Sequence, residues 1–168
     1  MWNFLRWLAG LVQPSPKRVV IPVFKEFRDA PHDEPFRFPD DPPHVLRLRS
    51  KGPPGMLIWE SSVAVAGVTF DNRQANILRF LEGDEQRVSL AHAPIKGHPH
   101  AMLVHGHWTK NGETAQAELG YLPTEVSRAI ATSFPDRSGV RATLSTVFLP
   151  AGKQSAGLRL TLWARKDA

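Results

Sequence analysis

Residues 62–93 read SVAVAGVTFDNRQANILRFLEGDEQRVSLAHA, and the spacing of apolar residues changes twice within them. Val63 and Val65 alternate with small residues, the pattern of a strand, and Gly67 allows another backbone to come close. Asp71 followed three positions later by Gln74 makes a capping-box-like start, after which Ile77, Leu78 and Leu81 share one helical face. The spacing predicts a strand over 62–70, a helix over 71–81, a turn at EGDE, and a second strand at QRVSLAHA (86–93).

The same reading extends downstream. AMLVHGHW (101–108) and ETAQAELGYL (113–122) are predicted strands joined through TKNGE, whose Asn111-Gly112 pair is a strong two-residue hairpin signal. Thr124 is placed to cap a second helix that buries Val126, Ala129, Ile130 and Phe134 and stops at Pro135. RATLSTVFL (141–149) and LRLTLWAR (158–165) alternate as two further strands. The expectation is a mainly β fold with two short helices in the order βαβββαββ, either a small six-stranded barrel or a curled antiparallel sheet.

Upstream, the composition differs. Ten of the fifteen prolines fall between Gln13 and Gly55, where they remove backbone donors and restrict their neighbours. Residues 13–56 are therefore read as an extended arm, with VVIPVF (19–24) and HVLRLRS (44–50) able to pair as edge strands, and 57–168 as the folded domain. Residues 1–12 hold Trp2, Phe4, Leu5, Trp7 and Leu8 around Arg6, too short a run to span a bilayer. That segment suits docking on the domain, on a partner or on a membrane surface, and the residues do not choose among these.

The 168 residues are 42% hydrophobic and 22% charged, the balance of a soluble globular chain with one core. A net charge of +5 favours an acidic partner such as nucleic acid. The absence of cysteine excludes disulfides, a thiol nucleophile and thiolate metal sites, and leans the compartment toward the cytoplasm. There is no phosphate-cradling glycine loop and no nucleophile elbow, so an enzyme is not expected.

The run VAVAGVTFDNRQANILRFLEGDEQRVSLAHAP, then AMLVHG, then ELGYLPTEVSRAIA, resembles the HIRAN domain, found alone in bacteria and beside some SWI/SNF-type DNA translocases. The closing LRLTLWAR is similar to the family's last strand. The resemblance implies an OB-like barrel that binds DNA, including the 3′ end of a single strand, without chemistry. It also implies site residues: Thr69 and Phe70, which follow the first-strand glycine; Tyr121 of G-Y-L-P; and Thr124, where some members carry lysine. The main departure is the loop after the second strand. Where the family reads E-P-x-N-P-Y-D-x-N-A, with a stacking tyrosine and an aspartate for the terminal hydroxyl, this chain has APIKGHPHA (93–101). That loop lacks a carboxylate and offers Lys96, His98 and His100, imidazoles that can stack on a base or donate to a phosphate.

Four of the seven histidines fall in HPHAMLVHGH (98–107). His105 and His107 are two apart on a predicted strand, hence on one face, as metal ligands or as surface residues. With Glu113 and Gly120 they partly resemble a cupin pattern, but the first glycine is misplaced and no facing histidine follows. No metal or other cofactor is expected. In the last two strands, Arg159 and Trp163 share a face with Arg141 and Thr143, a basic and aromatic surface suited to a single strand, unless Trp163 packs under the arm. The expected function is a nucleic-acid-binding module for single-stranded DNA or DNA ends, associated with DNA processing or repair, with the proline-rich arm as a contact for a DNA-processing protein. The alternatives are a protein- or membrane-docking scaffold that has lost the DNA-end site, and a histidine-ligated metal protein.

Overall fold

In the computed structural model, residues 35–36, 44–137, 139–150 and 155–165 are described, all within the compact unit Pro31–Ala168. The expectations placed on residues 1–34 lie outside them. The elements are β1 (Pro35–Phe36), β2 (Val45–Leu48), β3 (Met56–Ala64), α1 (Arg73–Leu81), β4 (Asp84–His92), β5 (Met102–Lys110), β6 (Glu113–Tyr121), α2 (Thr124–Ser133), β7 (Val140–Phe148) and β8 (Gly157–Arg165). From β3 onward the order is βαβββαββ, as the periodicity predicts, but the first strand runs Met56–Ala64 and not 62–70, because past Ala64 the chain leaves the sheet for the turn that leads into α1. Among the described residues no helix is long and apolar enough to cross a membrane.

The strands form two antiparallel sheets, β1-β2-β7-β8-β3 and β4-β5-β6. Their inner faces share one core in which Ile77, Phe80, Val104, Leu119, Ile130, Leu160 and Leu162 are fully enclosed. Trp108 meets Phe80 edge to face at 6.1 Å, and Trp59 meets Phe134 at 5.8 Å, the T-shaped arrangement that aromatic quadrupoles favour. The β5–β6 hairpin turns at Asn111 and Gly112, both with positive φ (54° and 81°), as a two-residue turn of matching twist requires.

Two details of the helices differ from the sequence reading. In α1 the buried positions are Arg73, Ile77 and Phe80 while Leu78 faces solvent, because the sheet lies under the 73–77–80 stripe. The Gln74 side chain is not part of a capping box. Its amide donates to the carbonyls of Val68 and Ala156 and accepts from Ala156 N, each at 2.9 Å, tying the helix to the start of β8. In α2 the cap position belongs to Pro123, and Thr124 is the first helical residue.

The sheets do not close into one hydrogen-bonded barrel. At one seam Ala66, just past β3, bridges Tyr121 at the end of β6. At the other, β2 pairs with Thr146–Phe148 of β7, and β4 is paired with β5 but not with the rest of β7. A cleft of about 790 Å³ remains there, between Arg49–Lys51, Asp84–Val88 and Ala142–Leu144. The arm residues 45–48 are therefore an integral sheet strand.

Gly120 is needed at the bridged seam. Its φ is +153°, and a Cβ there would sit 2.4 Å from Ala66 O and 2.7 Å from Val65 Cγ1. We predict that Gly120→Ala costs about 2 kcal/mol or more in urea unfolding, by overpacking against backbone. Gly97→Ala, at φ +82° with nothing within 4 Å, is predicted to cost only the backbone term of about 1–2 kcal/mol. Equal losses would show that the seam contact is not what demands glycine.

Candidate functional site

The bridged seam brings together segments far apart in sequence. Ala66 N donates to Tyr121 O at 2.8 Å and Tyr121 N to Ala66 O at 2.9 Å, so the turn Gly67–Phe70 emerges beside Tyr121. Thr69 is exposed, and Phe70 is 36% exposed, large for a phenyl ring. Phe70 N returns to Gly67 O and Arg73 N to Phe70 O, which folds the turn directly into α1.

Arg73 holds this corner, and the sequence reading missed it. Its guanidinium donates to Gly67 O at 3.1 Å and lies 5.0 Å from the centroid of the Tyr121 ring, a cation–π contact. The carboxylates of Asp71 and Glu118 are each 3.7 Å from it. Arg73 is only 9% exposed, and its Nε has no hydrogen-bond partner. One guanidinium against two carboxylates leaves no local excess of positive charge. Tyr121 stays half-exposed, its ring braced by Arg73. The signal for Arg73 was its place four residues before Ile77, a charge on the buried stripe of the helix.

Three residues beyond Tyr121, Thr124 opens α2 with its hydroxyl 3.5 Å from His98 Nδ1. The loop carrying His98 is a defined turn: Ile95 and His98 exchange backbone hydrogen bonds at 3.3 and 2.8 Å, with Gly97 at positive φ in the third position, as a type II turn requires. His92 Nε2 pins the loop from the end of β4 by donating to Pro99 O at 2.9 Å. Lys96 is exposed at the turn tip and His100 is exposed beyond it. Thr69, Phe70, Tyr121, Thr124, His98 and their loop neighbours thus form one chain of contacts and neighbouring positions.

Arg159 and Trp163 do not join it through any hydrogen bond or ring contact among the described residues. Arg159 donates to the carbonyl and hydroxyl of Ser62 and lies 5.7 Å from the Phe148 ring. Trp163 pairs across from Arg141, as the alternation predicts. Its Nε1 donates to Thr143 Oγ1 at 2.8 Å, and its ring lies so close to Gly52 that a Cβ there would be 2.3 Å away. The indole is therefore packed by the KGPPG segment.

His105 and His107 lie on the outer face of the three-stranded sheet, with ring centroids 6.5 Å apart. His105 Nδ1 is 2.9 Å from Gln116 Nε2, and His107 Nε2 is 2.7 Å from Ser89 Oγ. Among the described residues no three His, Asp or Glu side chains converge on a point that could hold a metal ion. Comparison with protein-family models, curated proteins and solved structures found no match.

Two imidazoles already engaged by Gln116 and Ser89 give a metal at most a bidentate foothold, short of the three protein ligands of a catalytic zinc site. We predict well under one equivalent of transition metal in tag-free protein, and a thermal midpoint that chelation leaves unchanged. Stoichiometric metal with a chelator-sensitive midpoint would assign the pair to a metal site.

Proposed function

We propose that the protein is a non-enzymatic nucleic-acid-binding module of the HIRAN type, on an open OB-like barrel, that holds the end of a single strand at the corner formed by Phe70, Tyr121, Thr124 and His98. The observation that carries this reading is the pair of joints at that corner. The Ala66–Tyr121 bridge and the Thr124–His98 contact gather residues from three separate segments, and the family resemblance selects the same segments. Half-exposed aromatic rings stack on bases of any sequence, and threonine and histidine supply donors for a phosphate or sugar. The overall charge of +5 favours a polyanion, and Lys96, exposed at the turn tip, adds positive charge on the loop that carries His98.

Ring stacking sets the expected size of the effect. Phe70→Ala and Tyr121→Ala are each predicted to weaken binding of a labelled single strand by about 1–3 kcal/mol. Thermal unfolding of each variant separates a lost contact from a lost fold, and a folded variant with parental affinity removes that residue from the site. Absence of any salt-dependent binding by the parent would turn the reading toward a docking scaffold.

The loop chemistry sets a second expectation. A carboxylate at the strand terminus accepts a hydroxyl proton and repels a terminal phosphate. Lys96, His98 and His100 present donors in that loop instead. We predict that strands ending in a 3′ phosphate bind within about threefold of strands ending in a free hydroxyl, since no like-charge penalty arises from this loop. A preference of tenfold or more for the free hydroxyl would show that another carboxylate, Asp71 or Glu118 beside Arg73, does the selecting.

A further inference from the structure

The His105–His107 pair has no part in the corner site, yet the strand register connects the two. Tyr121 pairs with Leu103, so on one face of β5 the positions run from Leu103, buried beside Tyr121, across a register shift after Val104 to the half-buried His105 and His107. Side chains two apart on a strand point the same way, and the four steps from 103 to 107 span about 14 Å at roughly 3.4 Å each. On β4, Ser89 lies across from His105 and Arg87 across from His107; on β6 the corresponding partners are Glu118 and Gln116.

The rings are held in place, and each keeps one nitrogen for another partner. With the Gln116 amide donating to His105 Nδ1, the neutral ring carries its proton on Nε2, which is left as a donor. His107 uses Nε2 toward Ser89 and keeps Nδ1. Arg87 is exposed beside them and makes no ion pair among the described residues. Glu118, the carboxylate on this face nearest His105 in register, is turned toward Arg73 at 3.7 Å. A row of two aligned imidazoles flanked by a free guanidinium is complementary to the phosphates and bases of a polynucleotide.

We infer that this face continues the strand path: a single strand held by its end at Tyr121 runs along β5, with His105, His107 and Arg87 contacting the nucleotides inward from the end. The inference rests on the proposed function, and strand length separates the two.

The test uses the full chain and two labelled oligothymidylates, a trimer and a decamer, with the parent, Tyr121→Ala, the double variant His105→Ala with His107→Ala, and Arg87→Ala. The parent is expected to bind the decamer at least tenfold more tightly than the trimer. The double variant should lose most of that length advantage while binding the trimer as the parent does; Arg87→Ala should lose part of it, and Tyr121→Ala should weaken both. Arg87 is exposed and its truncation leaves the core untouched, so it decides the matter if the double variant does not fold. A decamer bound no more tightly than the trimer, or variants of the β5 face with parental decamer affinity, overturns the extended path and leaves the corner site standing. Failure of the parent to bind either oligonucleotide overturns both.

Discussion

The backbone pairing of Ala66 with Tyr121 is the joint on which the rest of the molecule depends. The two sheets share a core, and the bridge sets how the chain leaving β3 meets the end of β6. Gly120 lets the carbonyl of Ala66 approach where any side chain would collide with it. Arg73 then locks the joint from the helix side, one guanidinium serving both the Gly67 carbonyl and the face of Tyr121. Burying a charged group in such a corner is costly unless it is well partnered, and its engagement with two backbone-defined points gives the turn Gly67–Phe70 its position.

The opposite seam has the reverse character. There β2 occupies part of the β7 edge, β4 is left without a sheet partner beyond β5, and a cleft with basic and acidic walls remains. A closed barrel would have buried both edges; pairing with β2 satisfies the exposed groups of Thr146–Phe148 by a different route.

Electrostatics at the corner site act locally. The excess positive charge of the chain is not concentrated there, because Arg73 faces Asp71 and Glu118. On the proposed reading, affinity comes from ring stacking and directed donors, with the net charge adding a diffuse attraction that salt screens.

Much of this was legible in the sequence because it depends on local periodicity. Alternation over 141–149 and 158–165, the Asn111-Gly112 turn, and the 3.6-residue spacing around Ile77 and Ile130 follow from geometry that neighbours in the chain share. Phe70, Tyr121 and His98 stand out through the family resemblance and not through periodicity. The contacts that join their segments, Ala66 with Tyr121 and Thr124 with His98, are not legible in local periodicity, because they link residues tens of positions apart. The same holds for the packing of Trp163 under Gly52, the role of Gln74 as a tie to Ala156, and the exposure of Leu78 in place of Phe80. Arg73 shows the difference most plainly. Its spacing from Ile77 puts it on the buried stripe of the helix, but its partners follow only from the tertiary structure, which places the Gly67 carbonyl and the Tyr121 ring within reach of its side chain.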